Sequence, residues 1–228
     1  EINKFTLYSF KWKRIVDEDW SVCWKSHWEP DPVGLSLLIL PNWLDLPKKY
    51  SDRLVIKIDP GLAFGTGSHP TTRLCLEALD KKSPRNLYVA DIGCGSGILS
   101  IAALHLGAKK VFAVDTDSLA IKSTLSNIKL NDFDQNNILV SCGSLDVLEQ
   151  DLNEESLDLV LCNILAPVVR DLAPDLNKFV KVGGTAILSG ILTYQVEDIV
   201  DIYSRFGWDL GTIKYMNNWS LIELKKNS

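Results

Sequence analysis

The stretch Asp91-Ile92-Gly93-Cys94-Gly95-Ser96-Gly97 stands between one apolar run, Leu87–Ile92, and another, Ile98–Leu106. The first run has the length and composition of a buried strand, and the second has the spacing of a helix. Glycines at such a junction let the backbone turn sharply and approach a ligand closely. In an open parallel sheet, the ligand occupies the crevice beyond the carboxyl end of the strand. The stretch therefore predicts a strand–turn–helix unit that binds a small molecule.

Strands and helices alternate along the rest of the chain. The next predicted strands are Lys110–Asp115, Ile138–Ser141, Leu157–Cys162 and Thr185–Ser189. The predicted helices are Ser118–Leu130, Val168–Phe179 and Gln195–Phe206. Two final strands, Trp208–Lys214 and Trp219–Leu224, are joined through Asn217-Asn218. Continuous apolar strands that alternate with helices indicate an α/β fold, with a mostly parallel sheet, helices on both faces and an antiparallel C-terminal strand.

The first 32 residues differ from the rest of the chain. Trp20, Trp24 and Trp28 follow an acidic triplet at helical spacing, which predicts a short amphipathic helix that ends at Pro30 and Pro32. The tryptophans either pack on the main domain, which we favour, or form a docking face for another module. We therefore divide the chain into a connecting helical segment, residues 1–32, and a main domain, residues 33–228. The main domain opens with two predicted strands, Leu35–Leu40 and Leu54–Ile58.

Composition limits the class of protein. Hydrophobic residues make up 46% and charged residues 23%, as in soluble globular proteins. The net charge of −5 disfavours a nucleic-acid partner and suits a basic protein partner. We expect no signal peptide, because the first residues lack a basic region followed by an apolar core, and no apolar run of the sequence is long enough to span a membrane. The five cysteines form no C-x-x-C pair, so we expect no zinc site, no disulfide framework and a reducing cytoplasm. We expect a monomer.

The glycine spacing and a downstream carboxylate indicate the kind of ligand. The glycines follow G-x-G-x-G, whereas a dinucleotide-binding turn has a third glycine at the position of Ile98, which disfavours a nicotinamide-dependent oxidoreductase. Asp115 ends the next predicted strand, where a carboxylate can accept two hydrogen bonds from ribose hydroxyls. The alternative is that Asp115 caps the helix that begins near Ser118, a role that Asp117 can fill equally well.

Two further polar positions follow predicted strands. Ser144-Leu145-Asp146 comes after the third strand, where polar side chains can meet an adenine ring, although Asp146 is as easily explained as a turn residue. Asn163 follows the apolar strand that ends at Cys162. Its carboxamide oxygen can accept a hydrogen bond from a substrate amine and so orient the lone pair of that amine. The alternative is that Asn163 caps the turn before Pro167.

Three stretches together are much more specific than the glycine turn. They are the loop Asp59–Thr72 (DPGLAFGTGSHPTT), Asn163-Ile164-Leu165-Ala166 and Ser189-Gly190-Ile191-Leu192. With these, the chain resembles the bacterial ribosomal protein L-eleven methyltransferases from about Asp19 to the C-terminus. The resemblance implies a Rossmann-like class I methyltransferase fold with a seven-stranded sheet. It also implies S-adenosylmethionine as cofactor, and methyl transfer to lysine side-chain and N-terminal amines of that ribosomal protein. Methylation of another protein or of RNA is the alternative.

The resemblance also implies which residues form the site. The contacts to S-adenosylmethionine are expected from Thr72, Gly93, Asp115 and Asn163, together with Gly95, Asp146 and the loop residues Phe64, Gly65 and Thr66. Asn163 is the expected catalytic residue, and no metal is expected. We expect His69 to shape the loop or contact the cofactor rather than to act as a base.

The chain departs from the family pattern at two loop positions and upstream. Ser68 and Pro167 stand where Thr and Gly are more usual. Family members carry an N-terminal substrate-recognition module, and we expect residues 1–32 to be its remnant. On that reading, the chain binds the cofactor normally but methylates the ribosomal protein poorly, because remote contacts that position the substrate are missing.

Overall fold

The computed structural model describes residues 28–60, 64–148, 152 and 156–227. The strands are β1 (Asp31–Val33), β2 (Leu37–Pro41), β3 (Leu54–Ile58), β4 (Tyr88–Ile92), β5 (Lys110–Asp115), β6 (Ile138–Cys142), β7 (Leu157–Asn163), β8 (Val180–Leu192), β9 (Trp208–Met216) and β10 (Trp219–Lys226). The α-helices are α1 (Pro70–Lys82), α2 (Ile98–His105), α3 (Ser118–Leu130), α4 (Leu145–Leu148), α5 (Ala166–Asp171), α6 (Ala173–Phe179) and α7 (Val196–Ser204). Short 3-10 turns occupy Lys48–Tyr50, Gln135–Asn137 and Thr193–Gln195.

A seven-stranded sheet in the order β6-β5-β4-β7-β8-β10-β9 organises the molecule. Parallel ladders join β4 to β5 and β7, β5 to β6, and β7 to β8. β10 runs antiparallel to both of its neighbours, β8 and β9. The predicted α/β fold, with a mostly parallel sheet and an antiparallel C-terminal strand, is confirmed. The strand order reverses at β4, so the crevice for a ligand lies beyond the carboxyl ends of β4 and β7.

Both faces of the large sheet are buried, and this explains why its central strands are apolar without interruption. Val89 of β4 and Leu161 of β7 belong to one core, which α1 and α2 cover. Their neighbours Ala90 and Val160 belong to a second core on the opposite face, which α5, α6 and α7 cover. Successive residues of one strand therefore contribute to different cores, and the sheet holds the site from both sides.

A smaller sheet consists of β1, β2 and β3, and two asparagines, one in α3 and one at its C-terminus, join it to the elements around the large sheet. Asn131 donates to the carbonyl oxygen of Lys57 at 2.7 Å and accepts from the Lys57 N–H at 2.8 Å, so its side chain pairs with β3 as another strand would. Asn127 accepts from the N–H of Asp59 at 2.9 Å and donates to the carbonyl oxygen of Ser96 at 2.8 Å. These bonds join the start of the loop after β3 to the glycine turn after β4.

The elements differ from the sequence prediction at three places. The predicted strand Leu35–Leu40 is shorter in the structure, because a turn follows β1 and β2 begins only at Leu37. Asp80 of α1 accepts hydrogen bonds from the backbone N–H groups of Leu35 and Ser36 in that turn. The single predicted helix Val168–Phe179 is two helices, α5 and α6, because Pro174 lacks the N–H that a continuous helix requires. The predicted strand Thr185–Ser189 is the core of a much longer strand, β8.

The predicted tryptophan helix lies at residues 17–28, almost wholly outside the described residues. Residue 32, where we place the domain boundary, lies inside β1, and Asp31 of that strand pairs with Arg73 of α1 at 2.5 Å. Within the part of the chain that the structure describes, no helix has the length and apolar character needed to cross a membrane.

Two glycines of β8 give a matched test of how closely its backbone packs against its neighbour. Gly183 and Gly190 both have positive φ, +82° and +80°, but a Cβ would meet nothing within 4 Å at Gly183 and would lie 2.1 Å from the Ile164 carbonyl oxygen at Gly190. Gly183→Ala should lower the free energy of unfolding by about 1 kcal/mol, the cost of the backbone conformation alone. Gly190→Ala should lower the free energy of unfolding by about 1–3 kcal/mol more than Gly183→Ala does, because its Cβ would overpack against Ile164. Urea denaturation measures both, and equal losses would contradict the close approach.

Candidate active site

The site begins at the carboxyl end of β4, where two glycines, Gly93 and Gly190, pack against the same residue, Ile164. Gly93 has a φ of +74°, and a Cβ on it would lie 2.3 Å from the Ile164 Cγ2 atom. Gly190 lies against the backbone of the same residue from the opposite strand. The segment after β7 is therefore held between the ends of β4 and β8. Its position follows from the absence of side chains at Gly93 and Gly190.

The loop before α1 is fastened over the glycine turn by Ser96. The Ser96 N–H donates to the carbonyl oxygen of Phe64 at 2.9 Å, and the Ser96 hydroxyl donates to the carbonyl oxygen of Gly65 at 2.5 Å. A Cβ on Gly95 would lie 2.5 Å from the Phe64 carbonyl oxygen, so the loop rests directly on the turn. The Phe64 side chain itself remains 59% exposed.

A cavity of about 310 Å³ opens at the carboxyl ends of β4, β5 and β7, and we call it the strand-end cavity. Of the residues predicted from the sequence, the structure brings together five here: Phe64, Gly93, Gly95, Asp115 and Asn163. Thr116 and Gly143, which the sequence analysis did not select, also line it, and so does Ser144. The wall combines glycine backbone, one carboxylate and apolar side chains, as a nucleoside-binding crevice requires.

The carboxylate of Asp115 is held rigidly but keeps free acceptor capacity. Its Oδ2 accepts from the Gly95 N–H and its Oδ1 from the Asp117 N–H, both at 2.9 Å. Each carboxylate oxygen has a second lone pair, so both can still accept a hydroxyl. The N-cap of α3 is Asp117, whose side chain accepts from the Leu119 N–H at 2.8 Å. The alternative capping role that we considered for Asp115 is therefore filled by its neighbour.

A second cavity, of about 480 Å³, adjoins the first, and we call it the aromatic cavity. The rings of Phe64, His69 and Trp219 form one wall, with centroids 5.4 Å and 5.1 Å apart in edge-to-face contacts. Phe64, Asn163, Ile164 and Leu165 line both cavities, so these residues stand at the junction. The two cavities together offer adjoining places for two different molecules.

Asn163 is the polar side chain at that junction. It ends β7, in register with Ser189 of β8. Its Nδ2 donates to the Thr72 hydroxyl at 3.3 Å, whereas its Oδ1 is buried and has no hydrogen-bond partner. A buried acceptor without a partner costs about 1–3 kcal/mol, so a native structure retains one only for a reason. Asn163 as a residue lines both cavities.

His69 has a structural role that leaves it without a free basic nitrogen. It is the N-cap of α1, and its Nδ1 accepts from the Thr71 N–H at 3.4 Å and contacts the Thr71 hydroxyl at 2.7 Å. A backbone N–H can only donate, so Nδ1 is the acceptor in this cap. The nitrogen that could accept a proton is therefore occupied by the helix cap.

Four of the predicted cofactor contacts do not line either cavity. Thr72 is fully buried and contacts the side chain of Asn163, and Gly65 is a buried residue of the loop, packed against Ser96. The Thr66 hydroxyl meets that of Ser68 at 3.2 Å. The exposed Asp146 accepts from the N–H of Ser144 at 3.0 Å, and it is Ser144 that reaches the strand-end cavity.

Asp91, the first residue of the glycine stretch, holds the turn in place through hydrogen bonds from Ser100 of α2. It is fully buried, and its Oδ2 accepts from the Ser100 N–H at 3.0 Å and the Ser100 hydroxyl at 2.6 Å. Burial raises the pKa of Asp91 from 3.8 to about 6, although the bonds from Ser100 oppose the rise. Asp91 thus fastens β4 to α2. Among the described residues, no group of three His, Cys, Asp or Glu side chains could hold a metal ion.

The strand order, the glycine turn and the carboxylate at the end of β5 define a class I S-adenosylmethionine-dependent methyltransferase. A family model described as "Ribosomal protein L11 methyltransferase (PrmA)" matches residues 1–227. The chain belongs to this family.

Relatives and solved structures agree with that assignment. A ribosomal protein L11 methyltransferase of Prochlorococcus marinus is 54% identical over 217 residues, covering 95% of this chain and 71% of the relative. Its counterpart in Parasynechococcus marenigrum is 50% identical, covering 94% and 74%. The crystal structure of ribosomal protein L11 methylase from Lactobacillus delbrueckii subsp. bulgaricus superposes with a TM-score of 0.80 at 31% identity, over 88% of this chain and 100% of that one. A methyltransferase from Mesorhizobium loti shares the fold at 13% identity, with a TM-score of 0.53, over 67% of this chain and 98% of that one.

Asp115 and Asp117 provide a matched pair for testing cofactor binding. Asp115→Ala should weaken binding of S-adenosylhomocysteine by about 1.5–3 kcal/mol, because the ribose hydroxyls lose a charged acceptor. Asp117→Ala should leave that affinity unchanged and lower stability by about 1 kcal/mol, because it removes only a helix cap. Isothermal titration and urea denaturation measure the two quantities. An unchanged Kd in folded Asp115→Ala would remove Asp115 from the site.

The raised pKa of Asp91 makes its contribution to stability depend on pH. Between its ordinary value of 3.8 and its value of about 6 in the folded protein, the native state binds a proton that the unfolded state has released. Stability from this group is therefore present below that window and falls as pH rises through it. Asp91→Asn keeps an acceptor for Ser100 but does not titrate. Its free energy of unfolding relative to that of the parent should therefore rise by about 2–3 kcal/mol between pH 4 and pH 7. A difference in unfolding free energy that is constant with pH would contradict this.

Proposed function

We propose that this chain transfers methyl groups from S-adenosylmethionine to lysine side-chain amines and to the N-terminal amine of ribosomal protein L11. The observation that carries the proposal is the place of Asn163, which lines both cavities and whose buried Oδ1 has no hydrogen-bond partner. An acceptor in that place suits an amine that enters from the aromatic cavity. The names of the family and of the relatives supply the ribosomal protein.

The strand-end cavity suits S-adenosylmethionine. Gly93 and Gly95 line this cavity without a side chain, so a ligand can lie close to the backbone of the turn. We infer that Asp115 accepts the ribose hydroxyls, that Ser144 lies at the adenine end and that Phe64 covers the methionine end. When bound, the cofactor supplies a methyl group that its positive sulfur already activates. The protein then has to supply position and a dry pocket rather than further activation.

Asn163 orients the nucleophile. Its Oδ1 accepts one N–H of a neutral amine, and this directs the lone pair of that amine away from Asn163 and towards the strand-end cavity. Holding the reacting groups in this arrangement supplies much of the rate enhancement in such a transfer. The hydrogen bond also satisfies the acceptor that is otherwise buried without a partner.

The aromatic cavity prepares the amine for attack. A lysine amine has an ordinary pKa of about 10.4 and must lose a proton before it can react. Desolvation against Phe64, Leu165 and Trp219 favours the neutral form and lowers that pKa. His69 lines this cavity, but its Nδ1 is occupied by Thr71. We therefore assign no general base, and propose that the proton leaves to solvent before the stem of the side chain is fully enclosed.

The surface is suited to a protein substrate. Phe64 and Leu165 line both cavities and are 59% and 67% exposed, so the rim of the site is apolar. The net charge of −5 favours approach of a basic protein and disfavours RNA, the alternative substrate. We infer a monomer that acts in the cytoplasm, where ribosomal proteins are made, with no direct contact to nucleic acid or membrane.

Asn163 and Asn177 offer a controlled test, since both have a buried, unpaired Oδ1 but only Asn163 lines the cavities. Asn163→Ala should lower kcat by about 10- to 100-fold, as misplacement of a reacting group does. Asn177→Ala should leave kcat unchanged. The measurement is transfer of labelled methyl groups to purified ribosomal protein L11 at saturating cofactor, with ribosomal RNA as the second acceptor. Parental turnover by Asn163→Ala would contradict the orienting role, and label in RNA but not in protein would contradict the substrate.

A further inference from the structure

Helix α3 presents two buried polar side chains to the glycine turn. Thr124 and Asn127 lie three residues apart, so they share one face of the helix. The Thr124 hydroxyl donates to the carbonyl oxygen of Gly95 at 3.0 Å. The Asn127 Nδ2 donates to the next carbonyl oxygen, that of Ser96, at 2.8 Å. One helix face therefore holds two successive carbonyl groups of the turn, although neither side chain lines the strand-end cavity or the aromatic cavity.

The direction of the Gly95 carbonyl group determines where the loop before α1 can bind. A trans peptide unit is planar, and its C=O and N–H groups point in opposite directions. The Gly95 carbonyl oxygen is directed at Thr124. The N–H of Ser96, which belongs to the same peptide unit, therefore points the other way, and it donates to the Phe64 carbonyl oxygen at 2.9 Å. Thr124 thereby fixes the direction of the N–H to which the loop attaches.

Asn127 joins the same turn to the beginning of that loop. Its Oδ1 accepts from the N–H of Asp59 at 2.9 Å, while its Nδ2 binds the carbonyl oxygen of Ser96. The Ser96 hydroxyl in turn donates to the carbonyl oxygen of Gly65 at 2.5 Å. The loop is therefore attached at two points to one pair of hydrogen-bonded residues. Loss of the Asn127 amide would release the first point and loosen the residue that holds the second.

We propose that Thr124 and Asn127 are positioning residues for S-adenosylmethionine, acting through the glycine turn to hold the loop that carries Phe64 over the methionine end of the cofactor. This proposal rests on the cofactor arrangement proposed above. The ribose end has a separate support, because Asp115 also accepts from the N–H of Asp117. When fewer molecules have the loop in its binding position, the apparent Kd rises by the same factor. The two side chains therefore set the affinity for the methionine end from behind the turn.

Two ligands separate the ends of the cofactor in isothermal titration. S-adenosylhomocysteine has both ends, whereas methylthioadenosine keeps the nucleoside and the sulfur but lacks the amino-acid group. We expect Asn127→Ala and Thr124→Val to raise the Kd for S-adenosylhomocysteine by about 10-fold, and to leave the Kd for methylthioadenosine unchanged. Thr124→Val keeps the shape of the side chain but cannot donate a hydrogen bond. Thr124→Ser keeps the hydroxyl and should bind S-adenosylhomocysteine as the parent does.

Asn131→Ala is the matched control, because its amide pairs with Lys57 of β3 rather than with the turn. It should lower the melting temperature and leave both Kd values unchanged. Equal weakening of the two ligands, an unchanged Kd for S-adenosylhomocysteine in either folded variant, or a weaker one in Asn131→Ala would overturn the proposal. If Asn127→Ala does not fold, the Thr124 variants decide alone. If instead the cofactor arrangement is wrong, the parent chain would bind the two ligands equally.

Discussion

The close approach of three backbone segments around Ile164 is the constraint on which the site depends. Gly93 meets the side chain of this residue, and Gly190 meets its backbone, with no room for a Cβ at either position. The ends of β4, β7 and β8 can therefore converge in one plane. Asn163 immediately precedes Ile164, so its backbone is held in place at the end of β7, and its side chain is held by the hydrogen bond to Thr72. A site that needs a precisely aimed amide is more reliable on such a rigid strand end than on a free loop.

Two asparagine side chains, those of Asn127 and Asn131, connect the segments around the site to one another. Asn127 links the glycine turn to the loop after β3, and Asn131 pairs with the edge of the smaller sheet. Both come from α3 and its C-terminus, which are otherwise held to the domain by a few buried positions such as Ala120 and Ile128. Asparagine suits this work because one side chain both donates and accepts, and so completes a backbone pair without an additional strand. The loop that covers the site is thereby joined to the structure that it covers.

Sequence reasoning predicted the parts of the site that follow directly from strand ends. Gly93, Asp115 and Asn163 each stand at the carboxyl end of a parallel strand, and parallel strands bring those ends to one edge. Trp219 could not be found in the same way, because it reaches the site only through insertion of β10 between β8 and β9. That insertion is set by long-range pairing and leaves no local signal. The side chains of Thr66 and Asp146 bond to nearby residues of the chain, Thr66 to Ser68 in the loop before α1 and Asp146 to the N–H of Ser144 just before α4.

The origin of the aromatic cavity in β10 has a consequence for the order in which the protein folds. The residues that line the strand-end cavity come from Phe64 to Leu172, mostly through neighbouring β-α units, so their contacts are comparatively local. The contact of Trp219 with His69 spans more of the chain and depends on the pairing of β10 with β8 and β9. Contacts between distant segments carry a larger loop-closure cost and form late. A folding intermediate that has docked β4 to β7 but not β10 therefore has the nucleoside crevice before it has the wall that encloses an amine, and competence to bind precedes competence to react.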